Sequence, residues 1–107
     1  MPKVYIPIDS GHNYASAVDK GEIVFLFSTP INVFAIDKLV NDIGNKLSHA
    51  KEEDFFLPSG NAIANCIVFS MLIRKFKKVN FLIYSFRDNT YEVRTVWNTK
   101  FEELEVL

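Results

Sequence analysis

The chain has 107 residues, 49% apolar and 14% aromatic, enough for one domain with its own core. Twelve basic against 13 acidic residues leave a net charge of −1, which excludes a strongly basic nucleic-acid binder and an intrinsically disordered chain. One cysteine, Cys66, excludes an internal disulfide and fits a reducing compartment.

KVYIPI (3–8) contains Val, Tyr and Ile and reads as a first strand, ended by Pro7 or Asp9. A polar loop follows, with room for one helical turn. GEIVFLFS (21–28) is a continuous β-branched and aromatic run, the pattern of a central strand covered on both faces. Thr29-Pro30 then supplies an N-cap and a first-turn proline. Behind it Val33, Ile36, Leu39, Val40, Ile43 and Leu47 recur at helical spacing, which predicts an amphipathic helix fading near Ser48–Ala50.

KEED (51–54) reads as a solvated turn and DFFLP (54–58) as a short apolar strand. A second helix is expected to start at Ser59 or Gly60 and to end in RKFKK (74–78), whose cations complement the negative end of its dipole. VNFLIYSF (79–86) and TYEVRTVW (90–97) flank Arg87-Asp88-Asn89 as a β-hairpin, with the last strand a half-exposed edge. Residues 98–107 form an acidic amphipathic tail, expected either to dock as a short helix or to stay mobile.

The expected fold is therefore a single α/β domain over 1–107. It has a mainly parallel sheet of about five strands, two main helices and a C-terminal antiparallel hairpin. The N-terminal MPKVYIPIDS lacks the unbroken apolar stretch of a signal peptide. The longest apolar run, near Ala62–Ile73, is broken by Asn65 and Ser70 and falls short of the roughly 20 residues that span a bilayer. A soluble, cytoplasmic protein without membrane partners is expected.

Ligands of such sheets bind beyond the carboxyl ends of the strands. Three predicted strands lead into small polar residues: Asp9-Ser10-Gly11-His12-Asn13-Tyr14, Ser28-Thr29 and Ser59-Gly60-Asn61. Parallel strands would gather these exits on one rim, where a helix start favours an anion. Ser10, His12, Tyr14, Thr29, Ser59, Gly60, Asn61 and Asn65 are the candidate binding residues. Gly60 permits close backbone approach, and Asn61 and Asn65, four apart, share a helix face. Ser59 or Asn61 fits a plain helix cap equally, and Asn65 fits a bond to a loop carbonyl. If the protein is an enzyme, His12 is the acid–base, with Ser10 or Tyr14 beside it, although a Ser-x-His pair is not a triad. His49 suits the C-terminus of the first helix, and Cys66 suits a small hydrophobe. No metal-ligand spacing, P-loop or dinucleotide fingerprint is present, so no metal or cofactor is expected.

Apolar residues surround nearly the whole second helix, more than one sheet face covers, so a homodimer or higher closed oligomer is expected.

Taken together, KVYIP…SGHNYASA, GEIVFLF and VNFLIYSFRDNTYEVRTV resemble small uncharacterised α/β proteins among phage accessory genes. The chain is also similar to small viral ring nucleases in size and α/β character. The resemblance implies an accessory role in the host-cell cytoplasm during infection, including counter-defence by sequestering or cleaving a nucleotide signal. Three functions follow: an oligomer binding a small anionic ligand such as a nucleotide, an inhibitor of a host effector protein, or a nucleotide phosphoesterase using His12.

Overall fold

The computed structural model describes residues 1–104. Strands β1 (Lys3–Ile8), β2 (Glu22–Phe27), β3 (Phe55–Phe56), β4 (Lys78–Ser85) and β5 (Thr90–Trp97) form one sheet in the order β2-β1-β3-β4-β5. The first four run parallel, and β5 returns antiparallel to β4. This is the mainly parallel five-stranded sheet with a C-terminal hairpin that the pattern predicts. Helices α1 (Ile36–Lys46) and α2 (Ala62–Lys75) connect the strands, and a short α3 (Asn98–Leu104) follows β5. The tail thus begins as a helix; residues 105–107 lie outside the described residues.

Right-handed crossovers dictate which face each connection covers. The chain moves one way from β1 to β2 and the opposite way from β2 to β3 and β4, so its connections lie on opposite faces. Two core clusters agree. On one face α1 and α2 bury Leu39, Ile43, Leu47, Ala64, Val68 and Leu72 against Tyr5, Leu26, Phe56 and Val79. On the other, the β1–β2 connection carries only a 3-10 turn (Ala15–Ala17), and Tyr14 and Ala17 pack on Val4, Ile6, Leu57, Leu82 and Tyr91. A three-residue turn cannot cover a five-stranded sheet. Part of that face stays open.

Three expectations need correction. β2 is an edge strand rather than a central one: its apolar run serves cover on its faces, while one side of its backbone has no strand neighbour. The first helix starts at Ile36, not at Thr29-Pro30. Asn32 holds the intervening segment in a turn, its Oδ1 accepting from the Phe34 amide at 3.0 Å, and Val33 precedes the helix. The second helix starts at Ala62, capped by Asn61, whose Oδ1 accepts from the amides of Ile63 and Ala64 at 2.8 and 3.2 Å.

Pro7 lies inside β1 without breaking the sheet. The Leu57 amide donates to the Tyr5 carbonyl, so alternate β1 residues, Pro7 included, face β3. β3 pairs with β1 through Phe55 and Phe56, and the next bond of that ladder, from residue 7 to the Leu57 carbonyl, is the one a proline cannot make, so the pairing ends there. The KEED turn is tied down more than a solvated turn requires. Asp54 accepts from the amides of Lys3 and Lys51 at 2.9 and 2.8 Å. The buried Asn80 donates to the Glu52 carbonyl and accepts from Thr95.

The flanks of α2 find partners inside the chain. Met71 lies against Gly44 of α1, and the Phe69 ring lies 6.2 Å from that of Phe101 on α3. Ile63 and Cys66 remain exposed on its outer side. No helix among the described residues is long and apolar enough to cross a membrane.

Candidate functional site

Because β1, β3 and β4 are parallel, their carboxyl ends share one rim. The strand order also reverses here, between β1 (which leads to β2) and β3 (which leads to β4), the place where open α/β sheets take ligands. At this point, on the face the 3-10 turn fails to cover, lies a groove of about 810 Å³.

Its walls come from three segments: His12–Ser16 after β1, Leu57–Gly60 after β3, and the β4–β5 hairpin with Leu82, Ile83, Tyr84, Phe86, Asn89 and Tyr91. Four candidate residues therefore line it: His12, Tyr14, Ser59 and Gly60. Ser10 is exposed and outside the lining, and bonds to two of them, Tyr14 and Ser59. Thr29 leaves from β2, on the far side of β1, and is not part of the lining.

Three hydroxyls meet at the floor. Ser10 Oγ lies 2.9 Å from Tyr14 Oη and 2.8 Å from Ser59 Oγ, and the last two are 2.6 Å apart. Three contacts need three protons, and the three hydroxyls carry three. With each contact a hydrogen bond, the three O–H groups are used within the triangle, and the lone pairs left over can accept from the groove. A phosphate would have to turn one proton outward and break a bond inside the triangle.

The loop that presents Ser59 is fixed by Asn65. Its Oδ1 accepts from the Ser59 amide at 3.1 Å, while its Nδ2 donates to the carbonyls of Asn61 at 3.0 Å and Ser59 at 3.4 Å. Asn61 caps α2. Both amides thus turn back on their own loop, and neither residue lines the groove. Gly60 takes φ +77°, and a Cβ there would lie 2.9 Å from Ile8 Cβ, so only glycine fits this turn without strain.

The opposite wall is aromatic. Tyr84 meets Tyr91 and Phe86 edge-on, at centroid distances of 5.2 and 5.0 Å, and its hydroxyl donates to Asn89 Oδ1 at 3.3 Å. Asn89 itself holds φ +52°, the left-handed conformation that asparagine tolerates in turns. Sequence reasoning missed this wall. The signal was available: a fourth parallel strand delivers its exit turn to the same rim, and YSF and TYE then place aromatic rings there.

Burial pushes the Tyr91 phenol above its ordinary range, with the nearby phenols of Tyr14 and Tyr84 adding to the effect. Burial raises Tyr5 likewise, followed by the charges of Asp54 and Glu22. The folded state therefore keeps these protons longer than the unfolded chain does. This stability is fully present below the unfolded value and is lost as pH rises through the folded ones. Melting temperature should stay level to about pH 9 and fall beyond about pH 10. Tyr91→Phe should remove part of that alkaline slope in a melting series; an unchanged slope would show that the phenol has no such role.

A protein-family model described as Phage Pam3 gp32-like protein matches residues 2–97. The chain belongs to that family. No curated protein and no solved structure matches it. The gp32-like span holds every groove residue, from His12 to Tyr91, and stops before α3.

Proposed function

We propose that this phage protein binds and sequesters a nucleotide-like ligand in the groove. The convergence of an aromatic wall and a hydroxyl cluster at the strand exits carries the reading. A heterocycle would lie against Tyr84, Phe86 and Tyr91, stacking that is worth about 1–3 kcal/mol per base. Ribose hydroxyls or exocyclic N–H groups would donate to Tyr14 and Ser59. The phosphate would sit at the outer rim beside His12. Removing a nucleotide signal from the host cell, as counter-defence, is the role such a groove would serve during infection.

Sequestration is favoured over phosphoester cleavage by the floor itself. The Ser10 and Tyr14 hydroxyls bond to each other and to Ser59, so a nucleophile held by His12 is not what the geometry prepares. A second reading, capture of a host protein, is favoured by Phe86 at the groove mouth, 86% exposed.

Thermal shift against mono- and cyclic nucleotides separates the readings. A ligand at a hundred times its Kd adds about 2.7 kcal/mol, a rise of roughly 10 °C or more for a domain of this size. Tyr84→Ala should weaken binding by about tenfold or more while the fold persists. If no nucleotide raises the melting temperature at millimolar concentration, sequestration is wrong, and a host protein recovered through Phe86 would support the second reading. Release of product that His12→Ala abolishes would instead establish cleavage.

A further inference from the structure

β2 forms one edge of the sheet, and its hydrogen-bonding pattern shows which groups stand open. Backbone N–H and C=O groups of a strand residue point to one side, and neighbours alternate. The Glu22 amide donates to the Pro2 carbonyl at 2.9 Å, so Glu22, Val24 and Leu26 face β1. Ile23, Phe25 and Phe27 turn their amides and carbonyls away from the sheet.

Natural proteins guard such edges with charges, proline, bulges or cover. The β5 edge has such a guard in the Glu92–Arg94 pair at 3.1 Å, and α3 follows it. The β2 edge is less guarded: its charges are Glu22 at the strand start and the Lys46 ammonium 5.1 Å over the Phe27 ring, no charge and no proline occurs from Ile23 to Thr29, and Phe25 is 37% exposed.

We propose that β2 pairs antiparallel with β2 of a second copy, about a two-fold axis through Phe25, joining the two sheets into one. Self-complementarity singles out this occupant. The register sets Phe25 opposite itself, Ile23 opposite Phe27, and Val24 opposite Leu26, so every outward amide and carbonyl finds a partner. Glu22 meets Ser28, and no like charges oppose. An axis at Ile23 or Phe27 would leave half the strand unpaired, and a β5 edge would bring Glu92 and Arg94 against apolar side chains. The Phe25 ring also packs edge-on with Tyr14 at 5.7 Å, which places the junction beside the groove wall.

Light scattering and residue-resolved hydrogen exchange on the full chain test this. The expected mass is twice the 12.3 kDa monomer. The amides of Ile23, Phe25 and Phe27 should be protected at high concentration and lose protection on dilution, whereas Val24 and Leu26 stay protected throughout. Phe25→Lys sets two ammonium groups across the axis and removes an aromatic pair, and should raise the dimer Kd roughly tenfold or more. Phe25→Pro deletes an amide that the β1 ladder does not use, and should give a folded monomer by circular dichroism. A monomeric wild type at millimolar concentration overturns the proposal. So does a dimer whose Ile23, Phe25 and Phe27 amides exchange freely, since that dimer would use another surface.

Discussion

Asn65→Ala should destabilise the protein by about 2–4 kcal/mol, because the change removes one acceptor and two donors from a half-buried loop and leaves their partners unsatisfied. In a domain of this size each kcal/mol lowers the melting temperature by about 4–8 °C, so thermal denaturation reads the effect easily. The consequence for the groove is more specific. Ser59 enters the hydroxyl triangle only while its loop holds its present turn, and Asn65 is the side chain that grips the Ser59 amide and carbonyl. If the groove binds a nucleotide as proposed, the variant should therefore lose that binding even at temperatures where it remains folded. Asn65→Asp makes a useful contrast: a carboxylate still accepts from the Ser59 amide but faces two carbonyls with no proton to offer. It should fall between wild type and alanine. Equal stability of all three chains would mean that the loop is held by something else.

Phe56→Ala should be more severe, about 3–5 kcal/mol, against a total that for single domains is about 5–15 kcal/mol. Phe56 is 1% exposed and packs on Phe81 with ring centroids 5.3 Å apart. It also lies in a strand of only two residues that pairs with β1 on one side and β4 on the other. The cavity would open where the sheet has the fewest hydrogen bonds to resist it. Urea denaturation should show the loss in midpoint, and Phe56→Leu, which refills most of the space, should recover more than half of it. A loss below about 1 kcal/mol would show that the neighbouring side chains collapse into the gap.

Much of the fold was legible because pattern and burial agree. KVYIPI and the 90–97 hairpin strand fall where alternation and β-branched residues place them, and the parallel order follows from strands alternating with helices. The failures have distinct physical causes. GEIVFLFS is as apolar as a central strand, with Leu26 buried and Ile23, Val24 and Phe27 half-buried, yet apolarity says nothing about whether a backbone edge has a neighbour. Thr29-Pro30 has good helix-starting chemistry, but Asn32 makes a local turn first, and the helix begins only where Leu39 and Ile43 reach the core.

The candidate site was legible through one rule, that parallel strands share an exit rim, which gathers His12, Tyr14, Ser59 and Gly60. The sequence left two readings of Asn61 and Asn65 open, ligand contacts on a shared face or a helix cap and a loop bond, and the structure shows the cap and the loop bond. Four residues apart on a helix puts two side chains on one face, but at a first turn the open backbone groups of the loop compete for the same amides. The aromatic wall was missed because a hairpin reads as a local unit until its first strand is known to join the parallel set.

The brevity of β3 has a mechanical consequence. The β1–β2 ribbon and the β4–β5 ribbon are sewn together by two residue pairs on each side of a two-residue strand, so this seam is the natural fault line of the molecule. The groove straddles that fault, with His12 and Tyr14 anchored to one ribbon and Tyr84 and Tyr91 to the other. Whatever spans it would act as a clasp, and occupancy would register as stiffness across the whole sheet.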